Sequence, residues 1–393
     1  MKIAFIEPSI GNNSGAQKCA QIILGVFLEK SYDVSVFFAN LDSGIFNSYK
    51  NKYSKVAGFN FDKLWGANLY LKYLGSGKYD SLSMIKKAAY AFYVFIFSFI
   101  SHLILAVQLK KNGYTHIYTY DLRGLVCVGF IFKALNIKLI WHLHSDVHMP
   151  TLAKKIIFKI PDVIIVPSMA VKKSLGEYHN VKVVYNGFSI NDLNSNDENK
   201  KEKKESFDIV YVGSLVPHKG FHNLLKALNS DLFLKYNINL NVVGEFGCEL
   251  YKNYIINLLE DEKYIKVNLL GWRSDAVKCI SDSDLLVFPS VINQTSDFGY
   301  GKINIKSSEA LPTVIIEALS NSVPVVATPT PGVDEIITHM LDGIILISDS
   351  VDDIRNGVVT AINHRFTIEN KNIMEKFSLS RLSDEMDDLL INL

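Results

Sequence analysis

Glu309–Ala310–Leu311–Pro312–Thr313–Val314–Ile315–Ile316–Glu317–Ala318 carries two carboxylates eight residues apart, and the second is expected to open a helix. An apolar run and a Pro–Gly turn follow, from Val323 to Gly332. Loop, helix, buried strand and turn in this order are a piece of a parallel βα architecture. The two acids cannot face each other as one-turn neighbours on a helix. They are expected on a loop and on the helix after it, with separate duties on one ligand. An ionised carboxylate accepts hydrogen bonds only, which suits it to a diol such as a ribose.

Working outward, short apolar runs alternate with longer mixed segments along nearly the whole chain. In the first half the expected strands are Lys2–Ile6, Asp33–Phe38, His116–Thr119, Lys138–Trp141, Val163–Val166 and Val181–Tyr185. In the second they are Phe207–Val212, Asn239–Val243, Ile265–Leu269, Leu285–Phe288, Val323–Ala327 and Gly343–Leu346. Helices are expected at Gln17–Glu29 and Phe221–Leu228. Such short runs with long connections predict parallel sheets rather than a sandwich. The segment Ser189–Ser206 is rich in Asn, Asp, Lys and Glu and poor in apolar residues, as a linker would be. The expected organisation is therefore a first domain over 1–189, a linker over 190–206, and a second domain over 207–375. A terminal helical segment over 376–393 completes it.

A chain of 393 residues is too long for one ordinary core, and 48% apolar residues suffice to bury two. The formal net charge of +1 argues against a general nucleic-acid binder. Cys19, Cys127, Cys248 and Cys279 are far apart and make neither a zinc pattern nor a disulfide framework. The chain opens directly on a strand-like run with no signal-peptide pattern, so cytoplasmic residence is the expectation.

Residues Ala88–Val107 contain no Asp, Glu, Lys or Arg. Three readings compete: a buried helix beside the sheet, a surface helix that docks on a membrane, and a span. The span fails on topology, because strands of one sheet lie on both sides of it. Lys86, Lys87, Lys110 and Lys111 flank the segment, which favours anionic lipid under the docking reading.

Four places carry chemistry-bearing patterns. The loop Pro8–Gln17 joins the first strand to a helix, and Gly15 at the helix start allows close approach to backbone N–H groups. It does not match GxGxxG. In Trp141–His142–Leu143–His144–Ser145–Asp146, side chains two apart share a strand face, so His142, His144 and Asp146 converge if the strand runs on. That spacing allows a metal, but no separate ligand cluster supports one; a histidine donating to a sugar or phosphate and a structural histidine without catalytic work are the two readings left open. Val210–Gly220 reads strand, loop, helix, with Gly213 for a turn and Lys219 as a cation for a diphosphate, ninety residues upstream of Glu309. It is not a Walker loop.

With these residues laid out, the chain resembles a retaining glycosyltransferase of family 4. Ser14–Gly15–Ala16–Gln17 looks like a degenerate version of that family's first loop. His144 falls at its active-site histidine, and Val184–Phe188 resembles the signature closing its first domain. Gly213–Ser214 through Lys219–Gly220 resembles its diphosphate loop, and Gly271–Trp272–Arg273 its base-contacting loop. Glu309 to Glu317 resembles its two-glutamate motif, with Gly332 and Glu335 beyond. Ser214 stands where many members have an arginine, Ser322 where glycine is frequent, and Gln17 where an acid is common. Asn293–Ser308 is longer than usual, as a specificity loop over the donor sugar would be.

The resemblance implies an α/β protein of GT-B fold, two Rossmann-like domains facing a central cleft, with the last helix returning to the first domain. It implies transfer of a sugar from a nucleotide-sugar donor to a hydroxyl of a saccharide acceptor, lipid-linked and in surface polysaccharide biosynthesis. The anomeric configuration would be retained, with no metal and no cofactor beyond the donor itself. His144, Lys219 and Glu309 would be catalytic. Gly15, Gly213, Ser214, Lys219, Arg273 and Glu317 would hold the nucleotide sugar. Partners would be donor, acceptor and an anionic membrane at the inner face of the cell membrane, with no nucleic acid. A nucleotide-sugar epimerase of similar fold and a non-catalytic partner in a glycan assembly complex are the competing readings.

Overall fold

The structure, a computed structural model, describes residues 1–7, 15–38, 44–53, 58–60, 83–120, 125, 131–144, 151–188, 205–299, 301–307 and 309–393. The first loop from Pro8 to Ser14, Asp146, and the linker up to residue 204 lie outside the described residues. The chain divides into two compact units. The first comprises Met1–Pro167, Lys172–Asn186 and Leu382–Leu393, the second Ser168–Val171 and Gly187–Arg381.

The first unit holds β1 (Lys2–Glu7), β2 (Asp33–Phe38), β3 (Gly58–Asn60), β4 (His116–Thr119), β5 (Lys138–His142), β6 (Val163–Val166) and β7 (Val181–Val183). They form one parallel sheet in the order β3-β2-β1-β4-β5-β6-β7. The central strands are buried almost end to end, which is what a parallel sheet covered on both faces requires. Helix Gly15–Glu29 buries Ala20, Ile23, Leu24 and Phe27, one stripe at helical spacing. Phe5 on β1 stacks on Tyr118 of β4 at 4.8 Å, and Phe27 meets the same Tyr118 edge-on at 5.7 Å. The expected strands are present with ends shifted by one or two residues, and β3 is additional.

Helix Met84–Lys111 is buried at Leu105, Ala106 and Leu109 but exposes Ile85, Phe92, Ile96, Leu103, Ile104 and Val107. Of the competing readings, a helix buried along its whole length does not hold for these residues. Among the described residues, no helix is long and apolar enough to cross a membrane.

The second unit holds β8 (Phe207–Val212), β9 (Ile238–Val243), β10 (Lys266–Gly271), β11 (Leu285–Phe288), β12 (Asn293–Asp297), β13 (Lys302–Lys306), β14 (Val325–Ala327) and β15 (Gly343–Ile345). Its parallel sheet has the order β10-β9-β8-β11-β14-β15. Helix Phe221–Leu228 packs Phe221, Leu224, Leu225 and Leu228 into its core, again one helical stripe.

Two expectations need correction here. Glu317 does not open a helix: the helix is Thr313–Ser320, with Pro312 at its N-cap, so Glu317 lies in its second turn. The segment Asn293–Ser308 is not a plain loop. β12 and β13 pair antiparallel, and Phe298 in their turn packs against His222, Tyr251 and Tyr254. This apolar anchoring, with Ile305 also buried, holds the hairpin on the unit's own helices.

The strand expected from Val323 begins only at Val325, for a local reason. Helix Thr313–Ser320 ends in a Schellman motif: Val323 N donates to Ala318 O at 2.9 Å and Ser322 N to Leu319 O at 3.1 Å. The motif needs a left-handed residue, and Ser322 takes that place at φ 58°.

Candidate functional site

In the second unit, strand order reverses between β8 and β11. The crevice beyond the carboxyl ends at such a reversal is where open parallel sheets bind ligands. Lys219 follows β8, Ser290 follows β11, and Glu309 follows β13. Lys219 Nζ lies 2.6 Å from Glu309 Oε1. Ser290 Oγ donates to the same oxygen at 2.9 Å, and Thr328 Oγ1, beyond β14, donates to Ser290 O at 2.6 Å. The Lys219 side chain is 26% exposed and that of Glu309 9%.

Two glycines fix this geometry. Gly220 sits at φ +69° directly after Lys219, and a Cβ there would lie 1.8 Å from Pro289 O. The close approach is fastened by Val291 N donating to His218 O at 2.9 Å. Gly332 sits at φ +85°, and a Cβ there would come 2.4 Å from Ala310 O, next to Glu309. Both loops therefore approach backbone to backbone, which only glycine allows. Burial and then the Lys219 charge hold the His218 imidazole below its ordinary range, with Glu309 opposing them.

The other expected residues of this unit spread around that pair. Gly213 and exposed Ser214 continue β8, where Tyr211 Oη donates to Ser214 O at 3.1 Å. Glu317 is half-buried one helix away from Glu309, and no side chain caps that helix. Its first-turn amides are donors of the kind that meet phosphates. Arg273 stands apart. It follows β10, two strand spacings from β8, or about 10 Å. Its guanidinium is bidentate on Asp275, at 2.7 and 2.6 Å, and holds that carboxyl below its usual range. It therefore does not stand in beside Lys219 for the arginine that Ser214 replaces.

In the first unit, strand order reverses between β1 and β4. Gly15 opens the helix after β1, and a Cβ there would meet nothing within 4 Å. Glu7, fully buried at the end of β1, accepts hydrogen bonds from the hydroxyls of Tyr49 and Tyr120. β5 stops at His142, yet His144 stays beside it, with ring centroids 4.0 Å apart. Tyr118 Oη lies 2.6 Å from His142 Nδ1, and Tyr120 meets His144 edge-on at 6.1 Å. Burial pushes the His144 imidazole down to about 4 and that of His142 well below its ordinary range. Among the described residues, no group of three or more His, Cys, Asp or Glu could hold a metal ion.

Sequence reasoning missed Ser290 and Glu7. Both follow an apolar run directly, a polar residue at the carboxyl end of a parallel strand, and that position was the available signal.

Residues 193–377, just under half of the chain, match the family model described as Glycosyl transferases group 1. An uncharacterized glycosyltransferase, MJ1069 of Methanocaldococcus jannaschii, is 28% identical over 222 residues, 53% of this chain. That match spans only 52% of the relative's length. The UDP-Gal:alpha-D-GlcNAc-diphosphoundecaprenol alpha-1,3-galactosyltransferase of Escherichia coli is 23% identical over 327 residues, covering 72% of this chain and 77% of its own. Among solved structures, Anabaena Alr3699/HepE in complex with UDP superposes with a TM-score of 0.72 at 18% identity, over 100% of both chains. The fold is thus GT-B, built of two Rossmann-like units, as expected.

Proposed function

We propose that the chain transfers a sugar from a nucleoside-diphosphate sugar to a hydroxyl of a saccharide acceptor, with retained anomeric configuration and no required metal. The observation that carries this reading is the Lys219–Glu309–Ser290 cluster at the strand-order reversal of the second unit. A buried acid holds a half-buried lysine there, beside uncapped helix amides, which suits a diphosphate whose charge grows as it leaves. The match to the Glycosyl transferases group 1 model contains every one of these residues.

In this reading Lys219 neutralises the departing diphosphate, and Glu309 orients the donor sugar. Glu317 accepts from ribose hydroxyls, Gly213 and Ser214 line the diphosphate loop, and Arg273 serves the nucleoside end. His144 polarises or positions the reacting sugar, and Gly15 lets the ligand approach backbone amides. The anomeric carbon–oxygen bond to the diphosphate breaks, and the acceptor oxygen bonds to that carbon on the same face. The acceptor proton passes to the leaving phosphate oxygen, so no protein nucleophile is needed. The protein contributes orientation and charge stabilisation.

The E. coli relative's name supports a lipid-linked acceptor and a UDP-sugar donor. Helix Met84–Lys111 supports work at a membrane, at the inner face of the cell. It exposes Ile85, Phe92, Ile96, Leu103 and Val107, with Lys86, Lys110 and Lys111 exposed at its ends. These apolar positions repeat every eleven residues from Ile85 to Ile96 to Val107, one helical face. An apolar face with basic ends fits anionic lipid.

The test is acceptor-dependent release of nucleoside diphosphate, measured with and without EDTA across UDP-, GDP- and ADP-sugars. Release with one nucleotide family, unaffected by EDTA, supports the reading. Donor turnover without an acceptor, or no nucleotide binding, overturns it. Flotation with anionic liposomes at low salt checks the membrane part, and absence of binding removes it.

A further inference from the structure

We propose that His142, locked by Tyr118, is a positioning residue that fixes the ring plane of His144. The inference rests on the reading above in that it takes His144 to work on the sugar. It adds a residue that acts through His144 without touching substrate.

The anchor is Tyr118 on β4. Its ring is fully buried, stacked on Phe5 and edge-on to Phe27, so it cannot swing away. Burial raises the phenol well above its ordinary range, so the hydroxyl keeps its proton. That buried proton needs an acceptor, and the hydroxyl's partner is His142 Nδ1 at 2.6 Å. Tyr118 therefore donates, Nδ1 carries the lone pair, and the His142 proton sits on Nε2.

His142 in turn packs on His144. Its ring lies 4.0 Å from that of His144, inclined at 35°, and Tyr120 meets His144 edge-on at 6.1 Å. Tyr120 is itself tied to the Glu7 carboxylate. His144 has left the strand, and among the described residues the rings that meet its own are those of His142 and Tyr120. Among the described residues, the His144 Nε2 atom is buried without a hydrogen-bond partner. A buried ring nitrogen without a partner costs free energy, which marks a place held ready for a ligand atom. The cluster sits at the carboxyl ends of β1, β4 and β5, next to the reversal of strand order.

Among the described residues, the titratable groups that meet the pair are Tyr118 and Tyr120 from the β4 side; behind them Glu7 accepts from Tyr120 and Tyr49, and Cys19 bears on Tyr118 by charge. None of these five is a cation, and no charge lowers the His144 imidazole. Burial does it, and the His142 ring, 4.0 Å away, is part of that cover.

The experiment is an NMR titration of ring protons and nitrogens in the ligand-free full chain, in wild type, Tyr118→Phe, His142→Phe and His142→Ala. Tyr118→Phe should abolish the single Nε2–H tautomer of His142. His142→Ala should raise the titration point of His144 by about one unit or more, as water enters. His142→Phe keeps a flat ring and should restore it. For acceptor-dependent turnover, His142→Ala should lower kcat about tenfold at constant KM for the nucleotide sugar, with His142→Phe recovering most of it. His144 titrating identically in wild type and His142→Ala overturns the proposal. Should the alanine variant not fold, an unchanged His142 tautomer in Tyr118→Phe overturns it instead. The ligand-free titration fails or succeeds independently of which reaction the chain performs, so a wrong function and a wrong positioning role give different results.

Discussion

Lys219 and Glu309, ninety residues apart in sequence, meet at 2.6 Å, and Ser290 donates to the same carboxylate oxygen. The acid thus holds the lysine extended toward the strand ends before any anion arrives. Lys219→Ala should remove roughly 2–4 kcal/mol of transition-state stabilisation, about 30- to 1,000-fold in turnover. The nucleotide's melting-temperature shift should shrink much less. Wild-type kcat in this variant removes Lys219 from the mechanism.

Glu317→Ala should weaken nucleotide binding about tenfold or more, the value of a charge-assisted hydrogen bond to a ribose. Alanine is the best helix former, so the helix Thr313–Ser320 should persist. Calorimetry giving wild-type affinity, with an unchanged circular-dichroism spectrum, counts against the ribose role.

Ser322 holds a left-handed conformation, φ 58°, that costs a side-chain-bearing residue about 1 kcal/mol. Its Oγ accepts one exposed hydrogen bond from Asn370 at 3.2 Å, which returns little. Ser322→Gly should therefore stabilise the second unit by about 0.5–1 kcal/mol. A lower melting temperature would show that the Asn370 contact outweighs the backbone strain.

His222 is buried among Tyr251, Tyr254 and Phe298. Burial, then Lys226, push its imidazole down to about 3. The unfolded chain takes up this proton near pH 6.5 and the folded chain does not until near the lower value. Stability is therefore full above pH 6.5 and falls with pH below it, by about 1.4 kcal/mol per unit from this residue. His222→Phe should flatten the slope of melting temperature against pH between 6.5 and 4 by the contribution of one proton. Parallel slopes would show that the ring is protonated and accommodated.

Much of the site was legible because its signals are local. Lys219 stands between an apolar strand and Gly220, and Glu309 stands before a helix and a Pro–Gly turn, so spacing singled out both as candidates and the resemblance gave them their expected roles. Contacts across the sheet were not legible. Ser290 and Glu7 matter through strand neighbours chosen by sheet order. The hairpin escaped reading because Asn293–Asp297 is polar at every position, and its apolar anchors, Phe298 and Ile305, stand singly among polar residues. The start of the Glu317 helix was misplaced although Pro312, a good first-turn signal, marked it.

Leu382–Leu393 belong to the first unit, where Asp384 and Asp387 reach Lys30 at 3.1 and 3.6 Å. A ribosome therefore finishes the whole second unit before it makes a segment that the first unit needs. During synthesis Lys30 and Tyr32 wait without those aspartates while nearly two hundred intervening residues emerge and fold. A nascent chain stalled or cut before Leu382 would carry a complete second unit and an unfinished first one. Premature release thus yields a recognisable species, not a uniformly weakened protein.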